Sequence, residues 1–311
     1  ATQIAYGVDS RVQSLIATGR TGHQRAGSTL AGVVAAWFFG ANASQQPTYH
    51  PGTGVTFDGV APDGTVNQNS GAESTIHGLL TMLALDSHPV ARSIARTASV
   101  RRYVGTNLIE AETGALSGDA KIVQPASSWT GESQYTGGKY VSLRGGSTAT
   151  YDLGRHRRAL LMPVVDLRHG STGVTTFRAG RTLLGTVRAG AIAASGDSGG
   201  PGALLPVTLP RTLGSRAATV TATTVGSETR LDALMVQPLV TRVVLGGRRH
   251  GTAVLRSAAT STQRVRVRVP GAGRAQVWSY DGRGILQRHK RASSRSVRVT
   301  IVPGGFALVR R

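Results

Sequence analysis

Near residue 108 the sequence changes its period. Before about residue 92, apolar residues recur every three or four positions, the spacing that lines them up on one face of an α-helix. Val8, Val12, Leu15 and Ile16 form such a run, with Asp9 as its cap and Gly19 as its end. Leu30, Val33, Val34, Trp37 and Phe38 form a second over about 23–39, stopping at Gly40, and Ile76, Leu79, Leu80 and Leu83 a third, from Ser70 to Pro89. After about 108 the helical period gives way to short runs of Val, Thr, Leu and Tyr between Gly-rich turns, the pattern of a β-sandwich. The chain therefore reads as multidomain α + β: a helical portion over 1–92, a basic linker over 93–106, a β-sandwich over 107–241 and a small C-terminal β-sandwich over 242–311. The Gly, Pro and Asp-rich stretch between the second and third helical runs is a long loop, a kind that is usually functional or disordered.

A chain of 311 residues can bury a sizeable core, and two or three domains fit its length. Its longest apolar stretch, "LAGVVAAWFFGA" at 30–41, falls short of the roughly twenty residues a membrane span needs. With no cysteine, disulfides and thiolate chemistry are excluded. The start, "ATQIAYGVDS", has no leader pattern and suggests a processed chain or a fragment. The net charge of +21 comes almost wholly from arginine. Nucleic-acid binders concentrate such charge in a patch or tail, whereas here the arginines are scattered, many alternating with valine as in "RVRVRV" at 264–269. Weak attraction to anionic polymers or cell walls is expected, and nucleic acid is not.

"SGDSGGPG" at 195–202 carries the letters that surround the nucleophile of trypsin-like proteases, with Ser198 in its place. That mechanism needs a histidine base oriented by an aspartate. No upstream histidine sits in a "TAAHC"-like setting, and about 110 residues follow Ser198 without an "SWG"-like strand. A serine protease is rejected. The segment reads as a Gly-rich loop between strands, with Asp197 and Ser198 as hydrogen-bonding groups.

Four segments in order, "NLIEAETGALSGDAKIV" at 107–123, "YTGGKYVSL" at 135–143, "TATYDLG" at 148–154 and "ETRLDALMVQPLV" at 228–240, resemble carbohydrate-binding modules of families six and thirty-five. The resemblance implies a jelly roll over about 107–240, a polysaccharide or cell-wall glycan as partner, and a structural Ca²⁺ on Glu110, Glu112 and Asp232. On the residues alone, Glu110 and Glu112 alternate along a strand and face one side, with Asp232 in a closing strand that would pair with the opening one. Converging carboxylates repel unless a cation neutralises them, and Ca²⁺ takes several oxygen ligands. Solvent-exposed edge acids are the alternative. A sugar also needs an aromatic platform and a few polar groups. Trp129, in loop-like sequence, is the first candidate, with Tyr135, Tyr140 and Asp197 behind it; core packing is the alternative for each aromatic, and for Tyr140, in a strand, the favoured one.

"VNQNSGAESTIHGLLTMLALD" at 66–86, with "IAYGVDSRVQSL" and "WFFGANASQQPTYHPGTGVTFDG", resembles the end of an (α/α) toroid from secreted actinobacterial polysaccharide-active proteins. It implies a secreted or cell-surface location and glycoside hydrolysis. A toroid takes roughly three or four times as much chain, so an N-terminal chain or domain would complete it. Glu73 then faces a cleft as a catalytic acid, with Asp9, Asp58 or Asp63 as partner, and His77 shares its face. Locally, Ser70 and Glu73 equally form a capping box. A non-catalytic cell-surface or filament protein built from such modules is the alternative function.

Overall fold

The computed structural model describes residues 2–21, 26–97, 99–130, 133–193, 202–247 and 250–311. The chain divides into two units, Ala1–Val104 with Val240–Arg311, and Gly105–Leu239. Among the described residues the elements are four α-helices and a majority of strands.

In the first unit, α1 (Ala5–Thr21) and α2 (Ala26–Ala35) bury Val12, Ile16, Ala31 and Ala35 together with Leu85, Ala91 and Ala95. The two helices approach through glycine: a Cβ on Gly27 would stand 2.5 Å from the Leu15 carbonyl oxygen and 2.8 Å from the Gly19 Cα. Asp9 lies inside α1 rather than capping it, and the helix continues past Gly19. α3 (Ala72–Asp86) presents the opposite face from the one its pattern suggests. It buries Ser74, Gly78, Thr81 and Leu85, while Ile76, Leu79, Leu80 and Leu83 are 41–65% exposed. The reason is tertiary: Thr81 reaches the buried Asp9 carboxylate of α1, and Gly78 lets Thr56 pack against the helix backbone. The long loop before α3 is ordered by a three-stranded sheet of Gln3–Ile4, Gly59–Val60 and Val66–Asn67.

Within 93–106, expected as a linker, residues 93–97 complete a helix and residues 99–104 form a strand. Pro89 opens α4 (Pro89–Thr97) instead of ending α3, because at the first helical position its fixed φ fits and its missing N–H costs nothing. Ser99–Val104 then pairs with Val240–Gly246 as the edge of a six-stranded sheet. One face of that sheet packs on the two-stranded ribbon Gln263–Arg268 and Ser296–Ile301, burying Leu255, Val267, Val277, Val299 and Val309. Its other face meets the helices, with Ala26 and Leu30 on Tyr280 and Leu308, and Ala36 and Ile94 on Leu245. The helical portion and the terminal β-sandwich thus share a core.

The second unit is a two-sheet antiparallel sandwich. One sheet orders Ala203–Pro206, Ala159–Leu167, Thr229–Pro238, Tyr140–Leu143 and Lys121–Val123, with Asn107–Glu110 also on Thr229–Pro238. The other orders Thr182–Arg188, Val174–Ala179, Thr219–Val225, Thr148–Asp152 and Ala115–Ser117. Val141, Leu143, Leu161, Val165, Leu231 and Leu234 interdigitate with Ala149, Tyr151, Phe177, Leu184, Val220 and Ala222 between them. Alternation on the first sheet leaves Tyr140, Ser142 and Arg230 on the face away from that core, while a bulge leaves Asp232 unpaired between Leu231 and Ala233.

Candidate functional site

That outer face carries a row of polar side chains set by register. Asp166 stands opposite Arg230, Arg230 opposite Ser142, and Ser142 opposite Lys121, so four adjacent strands contribute one residue each. The Asp166 side chain is fully buried, and its Oδ2 accepts from Tyr135 Oη at 2.6 Å and Arg168 Nε at 2.8 Å, with Arg230 Nη1 at 3.9 Å. Arg230 donates from Nε to Glu228 at 2.9 Å and lies 5.1 Å from the Tyr140 ring centroid. Glu228 Oε1 accepts from Ser142 Oγ at 2.6 Å and Arg144 Nη2 at 3.2 Å. Burial pushes the Glu228 carboxyl up, but the bonds from Ser142, Arg230 and Arg144 and the Arg230 charge outweigh it and hold it below the usual range. Beside this network opens a cavity of about 540 Å³ whose wall includes Asp119, Lys121, Tyr140, Arg144, Glu228 and Arg230. Donors and acceptors of both signs converge there on a fixed sheet, which suits a ligand rich in hydroxyl groups.

Tyr135 and Tyr140 are each 5% exposed, with ring centroids 4.8 Å apart. Both are buried within the network, the packing alternative that the sequence had left open beside a stacking role. Burial, then the bond to Asp166, pushes the Tyr135 phenol well above its ordinary value. Trp129 is 55% exposed and presents its ring to solvent. Asp197 and Ser198 lie outside the described residues.

Glu110 and Glu112 do not alternate along one strand, as the sequence reading had them, yet both carboxylates reach Gly137. Glu110 ends the strand Asn107–Glu110, whereas Glu112 sits in the 3₁₀ turn Ala111–Thr113, not on a strand. The Oε2 atom of each is buried without a hydrogen-bond partner among the described residues. Gly137, at φ +63°, closes the space: a Cβ there would stand 2.8 Å from Glu112 Oε1 and 3.9 Å from Glu110 Oε2. Asp232, 1% exposed, neighbours Ala233, which pairs with Glu110. Its two oxygens accept from the Thr136 backbone N–H at 2.8 Å and Thr136 Oγ1 at 3.0 Å. Burial, reinforced by the Glu110 and Glu112 charges and only partly offset by Thr136, raises its pKa to about 7. Among the described residues no group of three or more His, Asp or Glu side chains has the geometry of a metal centre. Two carboxylate oxygens without hydrogen-bond partners thus lie beside a third buried acid, Asp232.

In the helical portion, Asp9 is 2% exposed and accepts from His77 Nδ1 and Thr81 Oγ1, each at 2.7 Å, and from Gln13 Nε2 at 3.0 Å. It pins α1 to α3. Asp58 Oδ1 accepts the Gly71 N–H at 3.2 Å and Ser74 Oγ at 2.5 Å, capping α3 from the preceding loop. The expected Ser70 to Glu73 capping box does not form: Gly71 is the cap, and Ser70 Oγ pairs with Thr75 Oγ1. Glu73 is exposed in the first turn and makes no hydrogen bond or ion pair among the described residues. No direct bond brings Glu73, Asp9 and Asp58 together, and Asp63 accepts from the Thr65 N–H in its own turn.

Asp166, Arg168, Arg144 and Glu228 were not singled out from sequence. The two-residue spacing of Glu228 and Arg230 in "ETRLD" was the available signal, since charges two apart in a regular strand share one face.

No protein-family model and no curated protein matches the chain. Among solved structures it is similar to an exo-β-1,3-galactanase from Phanerochaete chrysosporium, at 23% identity and TM-score 0.31, over 43% of this chain and 29% of that one. It is similar to the C-terminal CBM6 of the marine laminarinase LamC from Zobellia galactanivorans, at 14% identity and TM-score 0.32, over 42% of this chain and 98% of that module. A Paenibacillus xanthan lyase is 10% identical with TM-score 0.34, over 66% of this chain and 26% of the lyase. The chain thus spans 29% of the length of the galactanase and 26% of the lyase.

Proposed function

We propose that the second unit is a carbohydrate-binding module whose ligand lies on the outer sheet face. The observation that carries this reading is the Asp166, Arg230, Ser142, Lys121 row with its adjoining cavity. A charge-balanced row matches sugar hydroxyls, each both donor and acceptor, without demanding a charged ligand. Exposed Trp129 supplies a stacking surface elsewhere on the unit. The order of the four sequence segments supports the same assignment. The test is titration of the full chain with neutral polysaccharides against Lys121→Ala and Arg144→Ala, both exposed positions. A loss of about 10-fold or more in affinity supports the site; unchanged binding removes it.

Ca²⁺ would be held by Glu110, Glu112 and Asp232, with carbonyl oxygens and water as further ligands. When bound it neutralises three acids and ties the opening strand to the closing one. Glu110, Glu112 and Gly137 shape the space, and Thr136 orients Asp232.

The helical portion is assigned to the end of an (α/α) toroid in a secreted or cell-surface carbohydrate-active protein, completed by a further chain or domain. The exposed stripe of Ile76, Leu79, Leu80 and Leu83 supports it, since such a face is stable against a partner helix. No helix among the described residues is long and apolar enough to cross a membrane. Glycoside hydrolysis by Glu73 with Asp9 or Asp58 is the second reading, resting on Glu73 being exposed with an uncommitted carboxylate; unchanged turnover in Glu73→Gln would remove it.

A further inference from the structure

The arginines that look scattered along the sequence are gathered by the fold of the first unit. Residues 240–311 hold sixteen Arg and Lys side chains and a single acid, Asp281. That acid is spent in its own turn, where Oδ1 accepts the Arg283 and Ile285 N–H groups at 2.9 Å each and Oδ2 accepts Gln287 Nε2 at 3.0 Å. A cleft of about 880 Å³ in this unit is lined by Arg101, Arg102, Arg242, Arg266, Arg268 and Arg295 and, among the described residues, by no carboxylate.

Three strands and a turn converge to build it. In Ser99–Val104 the ladder pairs Arg102 with Val244 and Val100 with Leu245, leaving Arg101 as the extra residue of a β-bulge. Strict alternation would send consecutive arginines to opposite faces, and the bulge lets both line one cleft. Arg242, 7% exposed, lies opposite Val104 and donates from Nη1 to the Arg266 carbonyl at 3.3 Å. In the ribbon, Arg266 stands directly opposite Arg298, and Arg268 opposite Ser296. Like charges in directly opposed positions destabilise a sheet. Arg101, Arg102, Arg266, Arg268 and Arg295 form no ion pair with any carboxylate among the described residues. Among the described residues nothing neutralises this repulsion.

We propose that this cleft binds an anionic polysaccharide, its carboxylate or sulfate groups held by the arginine forks. The guanidinium fork matches both groups in a bidentate manner, and the cleft has the size of known ligand sites, roughly 300–1,000 Å³. Its apolar floor, Val244, Val269 and Pro270, suits a sugar ring between charged groups. Single-stranded nucleic acid is disfavoured because, among the described residues, no aromatic side chain lines the cleft for base stacking. The proposal does not depend on the sandwich site above.

The experiment titrates the full chain with polygalacturonate, dextran sulfate, neutral dextran and oligothymidylate, at about 0.05 and 0.3 M NaCl. Polygalacturonate or dextran sulfate binds and dextran does not; which of the two binds tells carboxylate from sulfate. Arg266→Glu with Arg268→Glu weakens binding at least about 10-fold, and Arg295→Glu in the turn weakens it in the same direction. Arg288→Glu with Arg291→Glu, an equal charge change on the exposed strand Leu286–Ala292 outside the cleft, leaves it within about two-fold. Circular dichroism melting checks that each variant is folded, with Arg295→Glu carrying the test if the double variant is not. Equal loss in the control pair, no binding of either anionic glycan, or tighter binding of oligothymidylate would each overturn the proposal.

Discussion

The outer sheet face of the second unit and the cleft of the first are both built by placing arginines on strands, and they resolve the charge in opposite ways. In the sandwich, register sets Arg230 opposite Asp166 and beside Glu228, so the cations are neutralised within the fold. At the cleft, register sets Arg266 opposite Arg298, and Arg101, Arg102, Arg268 and Arg295 join Arg266 in the lining with no carboxylate among the described residues. A neutralised row is part of the structure and can read neutral hydroxyls. An unneutralised cluster weakens the structure that carries it and is explained by a ligand of opposite charge.

The most severe way to break this contrast is to remove an acid from the neutralised row. Asp166→Ala strands the Tyr135 hydroxyl and leaves Arg168 and Arg230 beside a buried gap. A loss of about 3 kcal/mol in urea unfolding of the second unit is expected; a loss below about 1 kcal/mol would mean the network contributes little to the fold. Calcium tests the remaining acids. Saturating Ca²⁺ at about 100-fold over its Kd raises stability by roughly 2.7 kcal/mol, an increment that Glu110→Gln with Glu112→Gln abolishes. In chelator, pH dependence should show the sign of Asp232. A carboxyl with a folded pKa near 7, above its unfolded value of 3.8, holds a proton that the unfolded chain releases. Stability from this group is therefore full below about pH 4 and falls as pH rises toward 7, and Ca²⁺ flattens the slope. A flat profile in chelator would remove the strained acid. The smallest effect belongs to the cleft: Arg102→Ala changes stability by no more than about 0.5 kcal/mol, toward stabilisation, because it removes repulsion and no ion pair. Strong destabilisation there would make Arg102 a structural residue.

The sequence was legible where a residue's neighbours along the chain decide its state. The change of period near 108 separated helices from strands, and the spacing of Val12 and Ile16 marked the buried side of α1. It misled where a distant partner decides. α3 turns its leucines outward because Asp9, 72 residues away, draws Thr81 inward. Pro89 looks like a stop until α4 is seen to begin on it, and the supposed linker is completed as a strand only by Val240–Gly246.

The sites divide in the same way. Chain order alone brought Glu110 and Glu112 within reach of each other, and the two-residue spacing in "ETRLD" brought Glu228 to Arg230. Only the tertiary structure decided that Asp166 opposes Arg230, that Tyr135 and Tyr140 are buried beneath the network, and that arginines from three strands and a turn share one cleft. The physical reason is that a side chain's face follows from local alternation, whereas its charge partner follows from register between strands, which no local pattern encodes.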